Sequence, residues 1–422
     1  YERSCKQYLR CFYFQMGKLT DLFIEKESKF GAFNYSPLPV VLTKGEGIYL
    51  WDIEGNKYFD FLSAYSAVNQ GHCHPKIVEV FQKQSAILTL TSRAFHNDKL
   101  PLFTEFMTST FGYDRVLPMN TGVEAGETAI KLARKWGYQK KKIPQDKAKI
   151  IFCEGNFWGR TIAAISSSTD PKSKNEFGPF LPGYEIIPYN DLEALKQAVS
   201  DKNVAAFMVE AIQGEAGVIV PDEHYLSEVS KICKLHNVLL IVDEIQTGLG
   251  RTGELVCSDY SNIKPDLLLL GKALSGGMMP ISCVLGSNEI LLLLKPGEHG
   301  STFGGNPLAC EVAMASVKTI LDEKMSENAK KMGSLFRETI TSWKHPSIQS
   351  VRGKGLLNAV QFQSYVDAKE LCLELMKNGI LAKETHKNTV RFAPPLVIQK
   401  EEMNEALETI KKVIDTIPIS VE

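Results

Sequence analysis

Residues 239–253, LLIVDEIQTGLGRTG, and residues 265–277, PDLLLLGKALSGG, decide how this chain is read. In the first, the apolar run from Val238 to Val242 ends on Asp243. In the second, four leucines run into Gly271 and Lys272. Short, continuous, β-leaning runs of this kind suit strands of a parallel sheet buried on both faces. Each run delivers a charged group to the rim of that sheet, where open α/β sheets place their ligands.

The pattern repeats on either side. KIIFC (149–153) and AAFMVEA (205–211) read as further buried strands, and helical patterns cover 124–138, 191–200 and 223–236. Repeated βα units predict an α/β fold, a mainly parallel sheet with helices on both faces. Upstream, GIYLWD and KYFDF alternate around Glu54-Gly55-Asn56, which predicts a hairpin. Downstream, one long helical stretch at 308–342 leads to VRGKGLLNAVQF, a helix at 366–378, the strand TVRF and a final helix near 400–416. The expected organisation is an N-terminal segment (1–33), a hairpin segment packing with the C-terminal domain (34–75), a large domain (76–310) and a small α+β C-terminal domain (311–422).

Of the 422 residues, 44% are hydrophobic and 23% charged, which excludes a disordered or fibrous chain. The formal net charge is -1, so no global field draws the protein to nucleic acid or an anionic membrane. No apolar run approaches the ~20 residues of a membrane helix. Nine scattered cysteines without a C-x-x-C pair argue against a disulfide framework and for a reducing compartment. Residues 1–15 carry Arg3, Lys6 and Arg10. They read as sequence ahead of a start at Met16, with a transit peptide as the alternative. The location expected is therefore the cytoplasm, with the mitochondrial matrix as the alternative.

Four features carry chemistry. Thr121-Gly122-Val123 precedes a helix, and a glycine turn at a helix N-terminus presents free N–H groups and a positive dipole end to a phosphate. A plain cap looks the same. Asp243 is either a strand-end cap or the partner of a buried cationic nitrogen, such as a protonated pyridine. Lys272, just after an apolar strand, is partly desolvated, which favours the neutral amine that reacts with an aldehyde. The plainer alternative is a lysine that snorkels to solvent. Ser301-Thr302, in GEHGSTFGGNP, offers two hydroxyls to a phosphate or forms a simple turn. Together the four suit pyridoxal phosphate better than a nucleotide, since neither dinucleotide-binding nor P-loop spacing occurs. His72-Cys73-His74 has the look of a metal site but no further ligand cluster, so a satisfied turn histidine is expected.

These stretches, together with YSAVNQGHCHP (65–75), GNFWGRT (155–161), KPGEHGSTFGGNPLAC (295–310) and RFAPPLVI (391–398), resemble the class III, fold-type I aminotransferases from about Asn34 to Ile414. The resemblance implies a seven-stranded-type sheet, pyridoxal 5′-phosphate on Lys272, and Asp243 against the pyridine nitrogen. It implies that Gly122 and Val123 hold the phosphate in one subunit of a homodimer. Ser301 and Thr302 would reach it from the other. Phe157 would stack on the ring and Gln246 contact its hydroxyl. Tyr35 and Arg160 would hold the α-amine and α-carboxylate of ornithine, and Tyr65 would line the pocket. Glu215 and Arg391 would form a switchable ion pair. The implied reaction moves the δ-amino group of ornithine to 2-oxoglutarate, giving glutamate. Acetylornithine and 4-aminobutyrate are the alternative donors.

Overall fold

The strand runs assemble into three sheets in this computed structural model, which describes residues 19–418. The expected start at Met16 and the alternative transit peptide over residues 1–15 lie outside the described residues. The expected hairpin is present as a meander of β1 (Leu42–Glu46), β2 (Tyr49–Asp52) and β3 (Lys57–Asp60). The central sheet contains β4 (Arg115–Met119), β5 (Lys149–Cys153), β6 (Tyr184–Ile187), β7 (Val204–Glu210), β8 (Leu239–Asp243), β9 (Leu267–Leu270) and β10 (Ser282–Gly286). Their spatial order is β4-β10-β9-β8-β7-β5-β6. Strands β5 to β9 pair in parallel, whereas β10 runs antiparallel to both of its neighbours.

Buried side chains alternate between the two faces of this sheet with the two-residue period of a strand. Ile151, Phe207, Val209, Leu240 and Val242 pack on one side with Val229 and Cys233 of the helix Tyr225–Leu235. Ile150, Phe152, Ala206, Met208 and Ile241 pack on the other with Ala129, Leu132 and Trp136 of the helix Gly122–Gln139. Both faces are covered, so the strands are uninterrupted apolar runs rather than alternating ones.

The C-terminal part contains β11 (Ile348–Lys354), β12 (Leu357–Phe362), β13 (Ile380–Leu381), β14 (Lys383–His386) and β15 (Thr389–Phe392). Four of these form a sheet in the order β11-β12-β15-β14. The two residues of β13 leave it and pair in parallel with β3, Ile380 opposite Phe59 and Leu381 opposite Asp60. The single helical stretch expected at 308–342 is two helices, Pro307–Asp322 and Met325–Ser342. Lys324 breaks it in a left-handed conformation, φ 52°. Beside it, Glu323 turns to Lys76 at 2.7 Å and His74 at 3.3 Å. No Gly or Pro marks the break, so the unbroken periodicity hides it.

A buried guanidinium joins the three parts. Arg251 donates to Asn69 Oδ1 at 2.6 and 3.1 Å, to Leu356 O at 3.0 Å and to Pro394 O at 2.6 Å. Burial pulls it down to about 9, opposed by the charge of Asp60. The two histidines of His72-Cys73-His74 part company because Cys73 is left-handed, φ 52°. His72 Nε2 meets Asp60 Oδ2 at 2.7 Å, while His74 goes to Glu323. The cysteines among the described residues are free thiols. No described helix is long and apolar enough to cross a membrane.

Candidate active site

A cavity of about 240 Å³ opens at the carboxyl ends of the central strands. It is lined by Gly122, Val123, Phe157, Asp243, Gln246 and Lys272, six residues singled out from the sequence, and by Glu210, Trp158 and Thr247, which were not.

Lys272 opens a 3₁₀ turn, Lys272–Ser275, with φ 44°. Gly271 before it is extended and Gly276 after it is left-handed, so the chain turns sharply under the lysine. Burial lowers the amine to about 8, partly opposed by Glu215. Asp243 ends β8, is 5% exposed and accepts one bond, from Ile245 N at 2.9 Å. Burial raises its carboxyl to about 6. Its register partner on β7 is Glu210. Burial, and then the neighbouring Asp243 charge, push Glu210 up to about 8. Glu210 accepts from Phe157 N at 3.0 Å and Gly214 N at 3.4 Å, so one carboxyl ties together the loops carrying Phe157 and Glu215. Its sequence signal was present: AAFMVE ends on a carboxylate just as VLLIVD does.

Opposite these strands, the helix Gly122–Gln139 starts with a reciprocal cap. Thr121 Oγ1 accepts from Glu124 N at 3.4 Å, and Glu124 Oε2 accepts from Thr121 N at 3.0 Å. The N–H groups of Gly122 and Val123 stay free to face an anion. Gly214 makes room for Gln246, because a Cβ there would lie 1.8 Å from its Oε1.

Arg391 on β15 is 2% exposed and pairs with Glu215 at 2.9 Å. Its Nη1 also donates to Gln246 Oε1 at 3.2 Å. Burial pushes the Glu215 carboxyl up, but Arg391 and Lys272 outweigh it and hold it below the usual range. The guanidinium lies 4.8 Å from the centre of the Tyr65 ring. Tyr65 sits in a run of four residues with positive φ, Ser63 at 50°, Ala64 at 46°, Tyr65 at 60° and Ser66 at 72°. Such a turn costs about 1–2 kcal/mol per L residue, so its surroundings must hold it.

Four expected residues stand outside the cavity. Arg160 is exposed, donates to Ser173 Oγ at 3.4 Å and lies 5.6 Å from the Phe157 ring centre. Tyr35 is 71% exposed. Ser301 and Thr302 do not reach the Lys272 cavity of their own chain. They line a separate one with Ser92, Arg93 and His299, and Asn120 Nδ2 donates to Ser301 Oγ at 2.6 Å. No group of three or more His, Cys, Asp or Glu side chains suited to a metal occurs among the described residues.

A desolvated lysine, a buried carboxylate with no cationic partner in contact and an open helix N-terminus can hold a phosphorylated aldehyde with a basic ring nitrogen. The chain belongs to the class-III aminotransferases, whose family model matches residues 30–414. These enzymes use pyridoxal 5′-phosphate, and the cavity residues fit it: Asp243 is a buried acid that a protonated pyridine would satisfy. Among similar proteins, the mitochondrial ornithine aminotransferase of Drosophila melanogaster is 57% identical over 398 residues, covering 94% of this chain and 92% of that protein. A crystal structure of the ornithine aminotransferase of Toxoplasma gondii has a TM-score of 0.93 at 50% identity, covering 94% of this chain and 96% of that one. The acetylornithine aminotransferase of Elizabethkingia anophelis has a TM-score of 0.87 at 52% identity, covering 95% and 100%.

Proposed function

We propose that this protein transfers the δ-amino group of ornithine to 2-oxoglutarate, forming glutamate semialdehyde, which can cyclise to pyrroline-5-carboxylate, and glutamate. The observation that carries the reading is Glu215 seated on Arg391 beside Lys272. An arginine able to take a carboxylate close to the reacting centre is occupied by the protein's own acid. That arrangement suits an enzyme whose first substrate must present an amine remote from its carboxylate.

Pyridoxal phosphate, when bound, supplies an aldehyde that takes up an amine and a ring that accepts the electrons of a broken C–H bond. Lys272 anchors it, and its freed amine moves the proton at the reacting carbon. Asp243 holds the proton on the ring nitrogen. Gly122 and Val123 bind the phosphate through N–H groups, joined by Ser301 and Thr302 of the second subunit of a homodimer. Phe157 packs on the ring and Gln246 meets its oxygen. Arg160 and Tyr35 hold the α-carboxylate and α-amine of ornithine, and Tyr65 closes the donor pocket. Glutamate or 2-oxoglutarate displaces Glu215 and takes Arg391. The mitochondrial Drosophila relative supports a mitochondrial location over the cytoplasm.

Purified protein should show a visible absorption band that shifts on adding ornithine and recovers on adding 2-oxoglutarate. Lys272→Ala should abolish turnover, yet keep the fold and bind the cofactor without a covalent bond. Normal turnover in that variant would end the assignment. The Elizabethkingia similarity favours acetylornithine as a second reading. Competing-donor assays with ornithine, acetylornithine and 4-aminobutyrate decide between them, and acetylornithine as preferred donor would replace the first reading.

A further inference from the structure

The turn that carries Tyr65 bends against the preference of L residues, and the group holding it is Asp60. Its Oδ1 accepts from the backbone N–H groups of both Leu62 and Ser63 at 2.8 Å, capping the left-handed turn at its start. Its Oδ2 is held by His72 Nε2 at 2.7 Å, and Asp60 itself is 3% exposed. His72 is fixed in turn: its backbone bonds to Gly47, and its ring lies over Gly45, where a Cβ would come within 2.9 Å. On the far side of the turn, Ser63 Oγ donates to Ala393 O at 2.7 Å, two residues beyond Arg391. Ala393 N donates back to Phe61 O at 2.7 Å. The turn is thus clamped between the Asp60–His72 pair and the strand end that carries Arg391.

We infer that Asp60, braced by His72, is a positioning residue that sets where the Tyr65 ring stands over Arg391 and through it selects the amine donor. This rests on the assignment of Tyr65 to the donor pocket. Without the cap, residues 63–66 relax out of the left-handed region and the ring leaves the guanidinium. Arg391 then becomes accessible to α-carboxylates, while the wall of the ornithine pocket is lost. His72 thereby gains a role that a metal-site reading of the His-Cys-His stretch does not supply.

The test compares Asp60→Ala, Asp60→Asn and His72→Ala holoenzymes, with each half-reaction followed by stopped flow. Asp60→Ala should raise KM for ornithine about tenfold, equivalent to about 1.4 kcal/mol, with kcat little changed and the glutamate half-reaction spared. Asp60→Asn keeps an oxygen acceptor for the two N–H groups and should restore ornithine binding, with His72→Ala between the two. Added to Tyr65→Ala, Asp60→Ala should have no further effect on KM for ornithine. Hydrogen exchange should quicken at Leu62 and Ser63 and stay unchanged in the central sheet. Equal loss of both half-reactions, additive effects in the Tyr65→Ala background, or unaltered exchange at those amides would overturn the inference. If Asp60→Ala does not fold, an unchanged KM for ornithine in His72→Ala overturns it. If the native protein does not turn over ornithine, the functional reading fails, while amide exchange still reads the cap.

Discussion

Lys272 combines a positive φ with an amine whose burial brings it to about 8. Only the neutral amine attacks an aldehyde, so covalent capture of pyridoxal phosphate by cofactor-free protein should accelerate as pH rises through about 8. A stopped-flow rate flat from pH 6 to 10 would contradict a desolvated lysine (the range is about two pH units either side). Glu210 works in the opposite sense. Its folded value of about 8 stands above the ordinary 4.5, so its burial destabilises the fold above pH 8 and ceases to do so as pH falls towards 4.5. Glu210→Gln should therefore raise the melting temperature of cofactor-free protein at high pH and change it little in acid. A gain independent of pH would show that Glu210 is not the titrating group. For the Glu215–Arg391 pair, a hydrogen bond to a charged group is worth about 1.5–3 kcal/mol, one to two orders of magnitude in rate. Glu215→Ala should speed the glutamate half-reaction and let ornithine react at its α-amine. Arg391→Ala should cripple the 2-oxoglutarate half-reaction and spare ornithine more. Equal losses in both would reduce the pair to a brace. Lys272 and Asp243 could be read from sequence because apolar runs point at them. Glu215 and Arg391 lie 176 positions apart, and no local pattern joins them; the resemblance did.

At the level of elements, strands β5, β7, β8 and β9 and the helix Gly122–Gln139 follow directly from their apolar runs and cap. Strands β4, β6 and β10 do not. RVLPM contains Arg115 and Pro118, YEII contains Glu185, and SCVLG begins with Ser282 and ends with Gly286. Their place is set by neighbours in the sheet, a long-range property. The helix break at Lys324 was equally silent, since Glu323 turns towards residues nearly 250 positions away. The Arg251 knot was legible only as a basic residue among glycines, yet its guanidinium serves three oxygens, one from the N-terminal hairpin segment and two from the C-terminal part. Each buried acceptor left without a donor costs about 1–3 kcal/mol. Arg251→Met should therefore destabilise the fold by about 3 kcal/mol or more, read as a lower denaturation midpoint. A midpoint within error of the parent would show that water replaces the guanidinium.

Across the whole molecule, the separation of Ser301 and Thr302 from the Lys272 cavity gives the homodimer proposal a direct test. A dimer reconstituted from one Lys272→Ala chain and one Ser301→Ala/Thr302→Ala chain would contain one intact site if the hydroxyls serve the opposite subunit. It would contain none if they serve their own. Activity should return on mixing, and silence of the mixture would refute sharing across an interface. The α/β class and the cofactor were foreseeable from local runs and recurrent motifs, whereas the count of seven strands came only through the family resemblance. What escaped is how distant segments close on one another, and that has its own consequence in the pairing of β3 with β13. A ribosome releases Asp60 about 320 residues before Leu381, and at about 5–20 residues per second this amounts to roughly 15–60 s of synthesis. Throughout that interval the outer edge of β3 has no strand to receive it, and the Tyr65 turn has no Arg391 to cover. Residues 57–66, made well ahead of their partners, are therefore among the last to settle. Nascent chains arrested before residue 380 should remain open to protease around residues 57–66, and those arrested well beyond it should not.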